Sequence, residues 1–106
     1  MKIFNTIARE KQDFVPLIPG RASIYVCGPT VYDSFHFGHA RAAISFDVLR
    51  RYLAFSGFSV TYVTNFTDID DKIITRALSE GRSWREITLT YIDEYFELMD
   101  ALNIQR

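Results

Sequence analysis

Two histidines three residues apart, His36 and His39, flank Gly38 in the run His36-Phe37-Gly38-His39. Imidazoles at that spacing reach one ligand together, and near neutral pH each can donate to a phosphate oxygen. Gly38 has no side chain, so a base or ribose can come close to the backbone. Alone, H-x-G-H is a weak signal, and a capped, solvated helix start accounts for it equally well. Its place in the chain favours phosphate. An apolar, β-branched run at residues 23–27 (SIYVC) precedes it and a long helical pattern follows. In a strand–helix–strand unit this turn lies at the carboxyl edge of the sheet, where ligands bind and a helix N-terminus favours anions.

Cys27 ends the first strand pattern, nine residues before His36. A zinc site needs about four donors, and the chain has only two histidines, both suited to phosphate. Spacing alone therefore reads Cys27 as a small core side chain. The segment Asn65 to Lys72 (NFTDIDDK) falls at the same sheet edge, after the second strand pattern. Helix capping explains Thr67 and one carboxylate. It explains Asp68, Asp70 and Asp71 together less well, and a pocket for an ammonium group or a metal is the functional alternative.

The elements that would hold these residues are legible in outline. Residues 3–6 read as a short edge strand, and residues 7–22 as loop with one extended piece at most. Residues 23–27 and 58–66 read as buried strands. A helix is expected from about Gly38 to Ser56, apolar over most of its surface and so buried on more than one side, with Gly57 as its stop. Thr67 is the expected N-cap of a second helix ending at Gly81. Ser83 and Glu86 have capping-box spacing for a third, whose stripe is Ile87, Tyr91, Tyr95 and Met99. Trp84 and the tyrosines read as core or domain-contact residues. The order predicts α/β architecture with parallel strands, flanking helices and a right-handed crossover. Parallel sheets normally have several strands and helices on both faces, so the sheet reads as unfinished.

Composition narrows the class further. The chain has 106 residues, 48% hydrophobic and 24% charged, with a net charge of −1. That excludes disorder and gives no general attraction to nucleic acid. Residues 1–65 carry a balance of +3 and residues 66–106 one of −4. A single cysteine excludes an internal disulfide. There is no signal-peptide pattern and no apolar run of the ~18 residues a membrane span needs, so a cytoplasmic domain is expected.

Taken together, these motifs resemble the N-terminal part of the cysteinyl-tRNA synthetases, a class I family. The resemblance runs from Lys2-Ile3-Phe4-Asn5-Thr6 through Tyr25-Val26-Cys27-Gly28-Pro29-Thr30-Val31-Tyr32-Asp33 to His36-Phe37-Gly38-His39-Ala40-Arg41. It continues over Phe46 to Leu53 and Asn65 to Ile73, and ends on Asp100 to Ile104. It implies an incomplete Rossmann-like half-domain over residues 1–106 carrying the HIGH motif. His36 and His39 would be its catalytic histidines, with Phe37 as an apolar packing residue in place of isoleucine. Pro29, Thr30, His36, Phe37, Gly38 and His39 would hold ATP, supplied with Mg2+. Gly28 and Thr67 would line the cysteine pocket. The resemblance reverses the reading of Cys27, making it one of four ligands to a Zn2+ ion that binds the substrate thiolate. Metal softness would then reject serine where pocket size could not.

The implied activity is that of a cysteine–tRNA ligase. Cysteine is activated as the adenylate and passed to the 3′ end of tRNA(Cys). The other three zinc ligands and the KMSKS loop lie in the family's later half, so the remainder of a synthetase chain is expected as partner and the 106 residues alone should be inactive. Exposed apolar surface and an unpaired sheet edge are expected with them. Two rivals stand. A mycothiol-type cysteine:amino-sugar ligase shares the adenylate logic, but Lys72 after Asp71, and the run Thr30-Val31-Tyr32, fit the synthetase better. A non-catalytic nucleotide-binding fragment is the other.

Overall fold

The computed structural model describes residues 1–106. Strand β1 (Lys2–Asn5) pairs antiparallel with β2 (Glu10–Asp13), Lys2 facing Asp13 and Asn5 facing Glu10. The turn sets this hairpin. Asn5 Oδ1 accepts the N–H groups of Ile7 at 3.0 Å and Ala8 at 3.4 Å, and Arg9 takes a positive φ of 56°. The expected edge strand is thus not an edge of the parallel sheet but half of a separate two-stranded one. Its partner, Glu-Lys-Gln-Asp, carries no apolar alternation to announce it. An edge-on contact of Phe14 with Phe58, at 5.7 Å between ring centroids, ties the hairpin's exit to the rest of the chain.

β3 (Arg21–Val26) and β4 (Ser59–Thr64) pair in parallel, in register from Arg21–Ser59 to Val26–Thr64. Helix α1 (Phe37–Phe55) connects them. Its C-terminal stop is as expected: Ser56 caps the helix and Gly57, at φ 91°, donates its N–H to Ala54. α2 (Asp71–Glu80) ends at left-handed Gly81, and α3 (Trp84–Ala101) begins with the expected Ser83–Glu86 capping box. The N-cap of α2 is Asp70 and not Thr67. Thr67 is already committed to strand-like pairing with Thr30, which holds its backbone extended.

Burial departs from expectation. Neither strand is buried throughout: Ala22 is the one fully buried residue of β3, and β4 has none. On α1 only Asp47 and Leu53 are buried, while Ile44, Val48, Tyr52 and Phe55 face outward. The helix covers the sheet from one side, so its all-round apolar character is not matched by all-round packing. The main core lies elsewhere. Val31, from the loop after β3, is packed with Ile73 and Ala77 of α2 and Ile87 and Tyr91 of α3. Tyr32, Phe35, Phe66 and Ile92 close around it. The α2–α3 pair is therefore a platform beneath the histidine loop. A second anchor joins α1 to the last residues: buried Asp47 accepts from Arg51 at 2.6 Å and from the Gln105 N–H at 3.2 Å. No helix is long and apolar enough to cross a membrane.

Candidate functional site

His36 is the N-cap of α1, and its side chain is part of the helix start. Its Nδ1 accepts the Gly38 N–H at 3.0 Å, while His39 Nδ1 reaches back to accept the His36 N–H at 3.3 Å. This is a capping box built from two imidazoles in place of the usual hydroxyl and carboxylate. The rings lie 4.1 Å apart between centroids, tilted by 45°. Because both Nδ1 atoms accept, each neutral ring carries its proton on Nε2, the atom left free for a ligand. Gly38 is required here. A Cβ on it would meet His36 Cε1 at 2.7 Å and Nδ1 at 3.0 Å, pushing away the capping ring. Burial, and then the charge of His36, hold the His39 pKa below the ordinary histidine value.

The two strand-end loops are stitched together. Thr67 N–H donates to Pro29 O at 3.0 Å, and Val31 N–H donates to Thr67 O at 3.2 Å. The parallel ladder thereby extends beyond β3 and β4 to the Thr30–Thr67 pair. Asn65 is the residue that sequence reasoning missed here. Its Oδ1 accepts the Gly28 N–H at 2.9 Å and the Tyr25 hydroxyl at 3.0 Å. Gly28 sits so close that a Cβ would lie 1.6 Å from Asn65 O. The missing side chain is what lets the two loops meet.

Cys27, Gly28, Pro29 and His39 line one pocket of about 250 Å³, with Tyr62 of β4 and Tyr95 of α3 among its walls. His36 and Thr67 are not among its lining residues; His36 is exposed beside His39, and the Thr67 backbone is bonded to Pro29 and Val31. Phe37 does not pack as expected. It is 82% exposed. A separate hollow of about 320 Å³, between α1, β4 and α3, contains none of the expected site residues.

Cys27 is exposed, which overturns its reading as a core side chain. Its Sγ has one polar neighbour, Gly28 O at 3.8 Å. No three His, Cys, Asp or Glu side chains converge as a metal site would require. Zinc takes about four donors, so the set present in this chain does not by itself fit the ion. The acidic run does not converge on one pocket either: Asp71 lines a hollow with Lys72 and Arg76, and Asp68 a different one with Ile69 and Trp84. Asp70 accepts the Lys72 N–H at 2.9 Å as a cap, Asp71 lies in the first turn of α2, and Asp68 is exposed. The Lys72 ammonium lies over the Tyr32 ring, 5.4 Å from its centroid.

The paired imidazoles thus stand at a helix N-terminus, on the loop that leaves the carboxyl end of a parallel strand. Residues 13–106 match the family model for the class I (C) tRNA synthetase catalytic domain, and the chain belongs to that family. Among curated proteins it is similar to a "Cysteine--tRNA ligase" of Desulfovibrio desulfuricans, 55% identical over 106 residues, covering 100% of this chain and 22% of the relative. The protein of the same name from Clostridioides difficile is 56% identical, with 100% of this chain and 23% of the relative covered. That from Syntrophobacter fumaroxidans is 55% identical, covering 100% and 22%. The chain therefore spans less than a quarter of the length of these relatives.

Proposed function

We propose that residues 1–106 form the first, Rossmann-like half of the catalytic domain of a cytoplasmic cysteine–tRNA ligase. The observation that carries this reading is the imidazole pair: both Nδ1 atoms are tied to backbone N–H groups, and both Nε2–H donors are free at the N-terminus of α1. Preorganised donors of this kind stabilise charge that develops on phosphate oxygens without reorganising at the moment of reaction. ATP, supplied with Mg2+, would lie with its phosphates against His36 and His39 and its ribose or base over Gly38, Pro29 and Thr30. Phe37, turned outward, would bound that region from the solvent side. Cysteine would sit beside Gly28 and Thr67. Its carboxylate attacks the α-phosphorus, the bond from that phosphorus to the β-phosphate bridging oxygen breaks, and pyrophosphate leaves. The cysteinyl group then passes to the 3′ end of tRNA(Cys).

No covalent enzyme intermediate is needed, so this chain contributes position and charge stabilisation. Cys27, exposed at the mouth of the same pocket, is the candidate Zn2+ donor of this half. One thiol does not make the site, and no step is assigned to the ion. The remaining donors would come from other parts of the intact ligase. The test is ATP–pyrophosphate exchange by the intact protein with cysteine or serine, followed by charging of tRNA(Cys). Exchange that requires cysteine supports the reading. Exchange driven equally by serine, or none with either, counts against it.

A further inference from the structure

Glu94 of α3 stands 59 residues from Phe35 in sequence but bonds to it in the fold. Its Oε1 accepts the Phe35 N–H at 3.3 Å and its Oε2 accepts the Ser34 hydroxyl at 3.3 Å. These are the two residues immediately before the His36 cap. The Phe35 ring then meets His39 edge-on at 5.2 Å and Tyr95 of α3 at 5.2 Å. One turn of α3 thus holds both the backbone entering the cap and the ring that leans on His39. Arg76 of α2 adds a third hold at Asp33, with 2.7 Å between its guanidinium and the carboxylate.

We infer that Glu94 is a positioning residue for the His36–His39 pair, acting through the backbone of Ser34 and Phe35 and not on substrate. This rests on the function proposed above. Between Asp33 and His36 the loop's own hydrogen bonding is a single local one, Ser34 N–H donating to the Asp33 carboxylate at 2.9 Å, with no backbone–backbone bond, so the register of the cap depends on what grips it from outside. Glu94 is half-buried, and its two oxygens engage two adjacent residues, which fixes the loop's position and its direction. A shift of about 1 Å there would carry both Nε2 atoms out of line.

The experiment uses the intact ligase with E94A, E94D and E94Q. The amide of E94Q keeps an acceptor for the Phe35 N–H and can donate to Ser34. E94D keeps the charge but is one methylene short. E94A and E94D should each lower kcat for cysteine-dependent pyrophosphate exchange by about 10- to 100-fold, with KM for cysteine within about twofold of wild type. E94Q should recover to within about threefold. If E94A does not fold, the E94D and E94Q pair decides. Wild-type kcat in E94D, or a loss in E94Q as large as in E94D, overturns the assignment. The nitrogen shifts of the His39 ring give a reading that needs no activity: a single Nε2–H tautomer in wild type and E94Q, and a mixture in E94D. An unchanged single tautomer in E94D also overturns it. A wild-type enzyme without exchange would sink the functional reading alone, leaving the tautomer result to judge Glu94.

Discussion

His36 and His39 cap one helix for each other: the backbone N–H of His36 donates to His39 Nδ1 at 3.3 Å, and His36 Nδ1 accepts from Gly38 at 3.0 Å. The arrangement uses one nitrogen of each ring to cap the helix and leaves the other unbonded. Nitrogen NMR of the imidazoles at pH 8 should show both rings as Nε2–H tautomers. A dominant Nδ1–H form in either ring would contradict the double cap.

The same geometry makes the helix start sensitive to acid. Protonated Nδ1 of His39 is a donor, and it would face the His36 N–H, another donor. The His39 pKa is lowered in the fold, first by burial and second by the charge of His36. The unfolded state therefore binds the proton more readily. The stabilisation is complete above the unfolded value of about 6.5 and is lost as pH falls through the lower folded value. Thermal melts between pH 8 and 5 should show stability falling on the acid side. H39N, whose side-chain oxygen can accept without titrating, should remove that component of the slope. An identical slope in H39N would disprove the link.

Gly28 lets the loops after β3 and β4 meet. G28A places a methyl group where Asn65 O already is, at 1.6 Å, so the loops must part. A loss of about 1–3 kcal/mol or more is expected on denaturant unfolding. N65A keeps the glycine but removes the acceptor shared by Gly28 and Tyr25, and should cost about 1–3 kcal/mol. Wild-type stability in both variants would show that the stitching of the two loops is unimportant.

Ile73 and Leu53 are both fully buried, at 0% and 1% exposure, but beneath different parts of the molecule. I73A and L53A should each lose about 2–5 kcal/mol. Only I73A undermines the platform beneath Val31 and the histidine loop. At a temperature where both remain folded, I73A should therefore lose more exchange activity than L53A. Equal losses would mean that the platform has no special bearing on the site.

Much of this was readable from local chemistry. Gly57, Gly81 and the Ser83–Glu86 box mark helix ends because those signals act within one turn of backbone. The strand-loop-helix context of His36 and His39 was equally plain. What stayed hidden depends on partners far away in sequence. Glu94 carries no signal of its own in the sequence until the fold brings Phe35 to it, and Asn65 falls inside the second strand pattern with nothing to mark it until Gly28 is adjacent. Thr67 looked like an N-cap because its type suits one, yet its pairing with Thr30 overrides that preference. The apolar residues of α1 correctly announce a helix that wants cover on several sides, but periodicity cannot say which sides are covered within these residues.

The most direct measurement is cysteine-dependent ATP–pyrophosphate exchange by the intact protein, comparing wild type with H39A and H36A. The expected result is exchange in wild type and a fall in kcat of about 100-fold or more in each variant, with both variants still folded. Exchange that persists unchanged without either imidazole would contradict the assignment of the pair to the phosphates of ATP.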